Sequence, residues 1–296
     1  ARTNPAVLYL SYGVHGNESS SGEAALWTAW DLATDAESVA GVLDSVVVII
    51  DPAVNPDGRD RYVNWYRQAK GVKANSSPEA REHFETVTGL LDAMADLNRD
   101  WAWLSQPETR ARLATWNTWM PQVHVDFHEM SWLSSYFFFP AAKPVNPIYP
   151  EHTLKWGLRI GEGNARTFDE HGWLYFTGES YDLFYPGYGD SWPSLLGAIG
   201  MTYEQAGGGR AGLAIDRPDG TTLTLWDRAT HHRTAGHATL RTVMAGKSEL
   251  LLDYAGFHRS VGQGEPDVLL VPGDDPSRVE ALVELLRGQG IRVERA

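Results

Sequence analysis

The sequence predicts an α/β protein with a mixed, mostly parallel central sheet flanked by helices. Three observations carry this expectation. Apolar runs of strand length recur at residues 6–12, 46–50 and 122–128, and stretches of helical spacing lie between them. Pro, Asp and Gly gather just after the strands, where the loops of an α/β sheet carry function. At 296 residues and 43% hydrophobic, the chain can bury a sizeable core in one large or two small domains.

Residues 6–12 open the sheet. Ser21 is placed to cap a helix through about Ala33, and residues 46–50 form a strand of the buried type, which completes a βαβ start. Residues 51–58 (DPAVNPDG) read as a long loop at that strand's C-terminal end. Helices are expected over about 79–95 and from Pro107 to a stop at Pro121. QVHVDFH at 122–128 alternates as a further strand. Residues 149–171 have helical spacing, 200–204 are a short strand, and Pro218-Asp219-Gly220 turns between two short extended pieces. A long helix is expected over about 225–258. After a Gly-rich linker, the chain reads strand, helix, strand from 267 to 295. This divides it into a main domain, 1–262, and a β-α-β tail, 263–296, that begins a further module.

Lys and Arg number 25 against 38 Asp and Glu, and the net charge of −13 argues against a nucleic-acid partner. No apolar run reaches the ~18 residues of a membrane span. Cysteine is absent, so a metal ion would have to be held by His, Asp or Glu. The chain enters its first apolar run at Val7 without a signal peptide, and upstream sequence is expected.

His15 and Glu18 (HGNE) follow the first strand at a spacing that lets an imidazole and a carboxylate converge on one cation. Alone, the pair is better read as a solvated loop with a capping Glu. A third ligand is needed, and 122–128 offers His124 and His128. They cannot both serve one ion, because four strand residues span ~13 Å and two ligands of one zinc lie within ~4 Å. His128 is preferred, since it stands at the C-terminal end of its strand, as the HGNE turn does. His124 is then structural, and Asp126, on the face of His128, is a possible acceptor behind it.

HGNE, NPDG at 55–58, DLNRDW at 96–101, DFHE at 126–129 and a strand ending in TYE at Glu204, in this order, resemble the zinc carboxypeptidases of the carboxypeptidase A type. The spacings agree with that family: 113 residues separate His15 from His128, and 76 separate His128 from Glu204. The resemblance implies one Zn²⁺ held by His15, Glu18 and His128, with a fourth position open to water and a substrate carbonyl. It implies Glu204 as general base and Asn98 with Arg99 as the pair gripping a substrate's terminal carboxylate, a task suited to a guanidinium fork. It implies an oxyanion-stabilising arginine after NPDG, for which Arg67 is preferred over Arg59 and Arg61. It also implies a mobile tyrosine before Gly189-Asp190-Ser191-Trp192, for which Tyr185 is preferred over Tyr188 and Tyr181.

Two departures stand out. The family carries a helix and a strand hairpin ahead of the HxxE strand, whereas this sequence begins only a few residues before it, so that either those elements lie outside it or the sheet has lost an edge; and the tail goes beyond the catalytic core. His231, His232, His237 and His258, without a carboxylate at ligand spacing, are read as structural or surface residues, and Asp190 as structural. The function implied is zinc-dependent removal of the C-terminal residue of a peptide, by a secreted or periplasmic protein. The alternatives are an amidase or deacylase acting on cell-wall peptides or N-acyl amino acids, and an inactive peptide-binding domain.

Overall fold

A computed structural model describes residues 4–69, 96–208, 210–261 and 275–294. The helix expected over 79–95 and the first tail strand lie outside the described residues. A five-stranded sheet has the order β2-β1-β3-β7-β4, formed by β1 (Ala6–Tyr12), β2 (Val46–Asp51), β3 (Val123–Met130), β7 (Ile199–Ala206) and β4 (Tyr136–Phe137). All neighbours are parallel except β4, which runs antiparallel to β7. The short strands β5 (Ala142–Val145) and β6 (Asp182–Leu183) pair apart from it, and β8 (Ala214–Asp216) pairs with β9 (Thr222–Thr224) around the expected turn.

Helices cover both faces, and the period of two along a strand decides which side chain meets which. Leu8, Leu10 and Tyr12 of β1 and Phe127 of β3 point into the larger core, shared with α1 (Ser19–Ala33), α4 (Glu151–His171) and α6 (Leu225–Ser260). Tyr9 points the other way. It joins a second core of Trp101, Leu104, Leu113, Trp116 and Trp192, carried in part by α3 (Pro107–Trp119) and α5 (Ser191–Leu195). Both faces of β3 are therefore buried, and every one of its residues but the last is fully enclosed.

The structure departs from the sequence reading in two places that matter for the site. Residues 51–58 are not all loop: α2 (Pro56–Ala69) begins at Pro56, which has no N–H to leave unsatisfied in a first turn. The Asn55 side chain caps it, accepting a hydrogen bond from the Gly58 N–H at 2.9 Å. Helix α1 starts at Ser19, two residues ahead of Ser21, so that Glu18 is its N-cap. Farther on, α7 (Pro276–Gly288) occupies the helical stretch of the tail, and residues 291–294 carry no regular secondary structure. No helix among the described residues is long and apolar enough to cross a membrane.

Candidate active site

The parallel sheet brings the C-terminal ends of β1, β3 and β7 side by side. Tyr12 pairs with Phe127, and His128 pairs with Glu204, so residues distant in sequence open onto one edge. The turn after β1 carries His15 and delivers Glu18 to the start of α1. The two oxygens of Glu18 then divide between two imidazoles: Oε1 lies 2.7 Å from His15 Nδ1, and Oε2 lies 3.2 Å from His128 Nδ1. Ligand atoms of all three residues fall within 4.8 Å of one another.

Behind the cluster, each ring turns its other nitrogen toward a carboxylate. His15 Nε2 lies 3.1 Å from Asp96 Oδ1, and His128 Nε2 lies 3.8 Å from Asp126 Oδ2. Such partners fix ring orientation and make an imidazole a better metal ligand. Burial works against charge throughout, but neighbours prevail: Glu18 and Asp96 raise His15 to about 9, and the two histidines hold Glu18 at about 2. A buried anion thus demands positive charge where three donors converge, and two imidazoles with one carboxylate form a donor set suited to Zn²⁺.

Glu204 is 8% exposed. Burial chiefly, and the nearby charge of Glu18, push its carboxyl up to about 8, with His128 opposing. A carboxyl poised near neutrality can both take and return a proton. Asn98 sits on a 3₁₀ turn (Leu97–Arg99) whose N-cap, Asp96, accepts from the Asn98 N–H at 2.8 Å. The Asn98 side chain reaches 3.3 Å from His128 Nε2 and accepts from the Gly189 N–H at 2.8 Å. Arg99 is half exposed, with Nη1 3.4 Å from Asp96 Oδ2 and its guanidinium 4.6 Å from the Tyr188 ring centroid. Both residues therefore border the cluster, on the sheet face of Asp126 and His128.

The arginines and tyrosines are distributed less simply. Arg59 opens α2 against the ligand turn, where a Cβ on Gly16 would lie 2.0 Å from the Gly58 carbonyl carbon. Its Nη2 lies 3.5 Å from Glu23, and its Nη1 is buried without a hydrogen-bond partner. Arg67 is exposed in the last turn of the same helix, ~12 Å farther along the axis, and Arg61 is exposed on it. Tyr185 turns its hydroxyl to the rim, accepting from Trp103 Nε1 at 2.6 Å. Tyr181 packs its ring 4.7 Å from Phe137, the β4 residue paired with Glu204. Burial, then the charges of Glu204 and Glu18, push the Tyr181 hydroxyl well up.

The remaining residues singled out in the sequence lie elsewhere. His124 is wholly buried, 3.3 Å from Asp126 Oδ1 and stacked on Tyr9. Asp190 is buried beneath β7, accepting from Thr202 Oγ1 at 2.9 Å, and burial raises it to about 6. Along α6, His232 Nδ1 lies 2.9 Å from the Tyr136 hydroxyl, and His237 lies 3.3 Å from Asp31. One residue that the sequence reading left without a role is Asp96. It opens the DLNRDW segment, but its partner His15 is 81 positions away. Beside Glu18, a cleft of about 440 Å³ is lined by Asn17, Trp132, Leu133 and Arg210 among others.

Comparison with known proteins agrees with this geometry. A family model described as zinc carboxypeptidase matches residues 1–191. A metallo-carboxypeptidase from Burkholderia cenocepacia superimposes with a TM-score of 0.58 at 18% identity, over 81% of this chain and 57% of that one. Bovine thrombin-activatable fibrinolysis inhibitor, solved in complex with tick carboxypeptidase inhibitor, gives 0.56 at 17% identity, over 81% and 83%. A Pseudomonas aeruginosa metallo-carboxypeptidase in complex with (2-guanidinoethylmercapto)succinic acid gives 0.56 at 16%, over 84% and 59%. The chain spans 57% and 59% of the two bacterial proteins, and at these identities the superpositions speak to fold. The match over 191 residues, with four of the five ordered motifs and the His-Glu-His cluster inside it, shows that the chain belongs to the zinc carboxypeptidase family.

Proposed function

We propose that the protein is a zinc-dependent metallocarboxypeptidase that hydrolyses the C-terminal peptide bond of its substrate. The observation that carries this reading is the convergence of His15 Nδ1, Glu18 and His128 Nδ1 beside a buried Glu204, with Asn98 and Arg99 on the same rim. A zinc ion held by these three residues would supply Lewis acidity, polarising a peptide carbonyl and acidifying a water.

The chain's own groups do the rest. Arg99 and Asn98 hold the terminal carboxylate, the guanidinium through charge-assisted bonds and the amide as a further donor. Glu204 takes the proton of the attacking water at a carboxylate oxygen and returns it to the departing amine, a role that its raised proton affinity suits. Of the arginines after NPDG, Arg59 is better placed than Arg67 to stabilise charge on the carbonyl oxygen, because it abuts the ligand turn and has a buried, unengaged Nη1. Of the tyrosines, Tyr181 packs on Phe137, the residue paired with Glu204, whereas Tyr185 would have to leave Trp103 to reach the cluster.

Metal analysis of the purified protein tests the reading, together with hydrolysis of short peptides. One tightly held zinc is expected, lost in His128→Ala and kept in His124→Ala. A zinc-free wild type, or loss in the His124 variant with retention in the His128 variant, would remove the metal centre proposed here.

A further inference from the structure

We infer that the end of helix α7 is a positioning element of the carboxylate clamp, acting through Gln289. The inference rests on the role proposed for Asn98 and Arg99. No side chain of α7 is fully buried, yet the residue that follows it is firmly held. Gln289 Nε2 donates to the Trp101 carbonyl at 2.8 Å and the Ala102 carbonyl at 3.0 Å, while its Oε1 accepts from Trp192 Nε1 at 2.8 Å. Both donors of the amide and one acceptor site are engaged. Leu285 packs into the second core, and a Cβ on Gly288 would meet Leu104 Cδ1 at 2.9 Å, so the helix end lies close against this segment.

The bonds of Gln289 join the segment that carries Asn98 and Arg99 to the first turn of α5, which follows residues 187–189. Trp101 stands two residues after Arg99, and Trp192 stands three after Gly189. These loops already touch: the Trp101 N–H donates to the Gly187 carbonyl at 3.2 Å, Gly189 N–H to Asn98 Oδ1 at 2.8 Å, and Arg99 lies over Tyr188. Neither stretch is a strand with ladder partners; Trp103 Nε1 also donates to the Tyr185 hydroxyl at 2.6 Å, and the rings of Trp101 and Trp192 stack 5.2 Å apart. Among the described residues, Gln289 is the one side chain outside these two stretches that hydrogen-bonds to both tryptophan residues. Because its bonds end at backbone carbonyls and an indole, it acts through Asn98 and Arg99 and touches no substrate.

The test uses the full chain loaded with zinc, with Gln289→Ala and Gln289→Glu. The glutamate keeps the acceptor for Trp192 but cannot donate to the two carbonyls, so both variants should behave alike. The expected result is a rise of about tenfold in KM for peptides with a free C-terminus. Zinc content, kcat and the hydrolysis of matched amidated peptides should stay within about twofold. On an Arg99→Ala background, Gln289→Ala should add no further loss, as coupled residues require. Equal loss on free and amidated peptides, or full additivity with Arg99→Ala, would overturn the inference and leave Gln289 a general stabiliser. If wild type cleaves neither peptide, the proposed function fails separately. The positioning claim is then read by hydrogen exchange, where faster exchange of the Trp101 and Gly189 amides in Gln289→Ala supports it and unchanged exchange overturns it.

Discussion

Asp96 offers the sharpest quantitative check on the metal centre. Its Oδ1 accepts from two groups, His15 Nε2 at 3.1 Å and the Asn98 N–H at 2.8 Å, and the side chain is 16% exposed. A hydrogen bond to a charged partner contributes about 1.5–3 kcal/mol, and a neutral one about 0.5–1.5 kcal/mol. Asp96→Asn keeps an oxygen able to accept both bonds and loses only the charge, so zinc affinity should fall by roughly 1–1.5 kcal/mol, or about tenfold. Asp96→Ala removes the acceptor and should cost roughly ten- to a hundredfold, the usual range for the carboxylate behind a ligating histidine. Zinc affinity is measured by competition with a chelator at fixed pH, and turnover is measured at saturating zinc. A graded order, wild type above Asn above Ala, is expected. If Asp96→Ala holds zinc as tightly as wild type, Asp96 serves the 3₁₀ turn alone and the account of His15 is wrong.

Further expectations concern single groups. Glu204→Gln should keep zinc and lose turnover by about 10²- to 10⁴-fold, and near-normal hydrolysis by the folded variant would free this residue of the base role. Arg99→Ala should lower kcat/KM for free-carboxylate peptides roughly ten- to a hundredfold more than for amidated ones, with Arg99→Lys recovering only part; equal losses would detach Arg99 from the carboxylate. His232 is held neutral by burial, its value lowered from 6.5 to about 3, so the unfolded chain binds the extra proton between these limits. Stability is therefore present above pH 6.5 and lost as pH falls toward 3. In His232→Gln the slope of unfolding free energy against pH in that window should drop by up to about 1.4 kcal/mol per unit, and an unchanged slope in denaturant titrations would contradict the assignment.

Most of the sheet was legible because its central strands are enclosed on both faces. A strand such as β3, buried from Val123 to Glu129, is written as a short dense run bounded by turn residues, and its spacing alone excluded a shared role for His124 and His128. The start of α2 was not legible as a helix, since Pro56, Asp57 and Gly58 are turn residues by composition, and only the Asn55 cap reveals what they begin. Asp96 went unassigned because its partner lies across the fold, a relation that no local pattern encodes. The arginine and tyrosine choices depended on which way a side chain leaves a helix or loop. Arg59 and Arg67 share one helix, and Tyr181 and Tyr185 flank one short strand, so position in sequence could not separate them.

The Glu129 carboxylate, one residue past the proposed ligand His128, holds together parts of the chain that are made at very different times. It accepts from the backbone N–H and hydroxyl of Ser20, two residues after Glu18, and both its oxygens accept from Arg228 of α6, at 2.8 and 3.0 Å. As synthesis proceeds, the ligand turn, β3 and Glu204 all emerge before Arg228. Until it arrives, closing the core around Glu129 would strand a carboxylate in an apolar interior, since Arg228 is its ion-pair partner among the described residues. The start of α1, and with it the aim of Glu18, is thus fastened by one of the last long helices to leave the ribosome. The contact that completes this fastening can therefore form only once Arg228, 208 residues after Ser20, has been made.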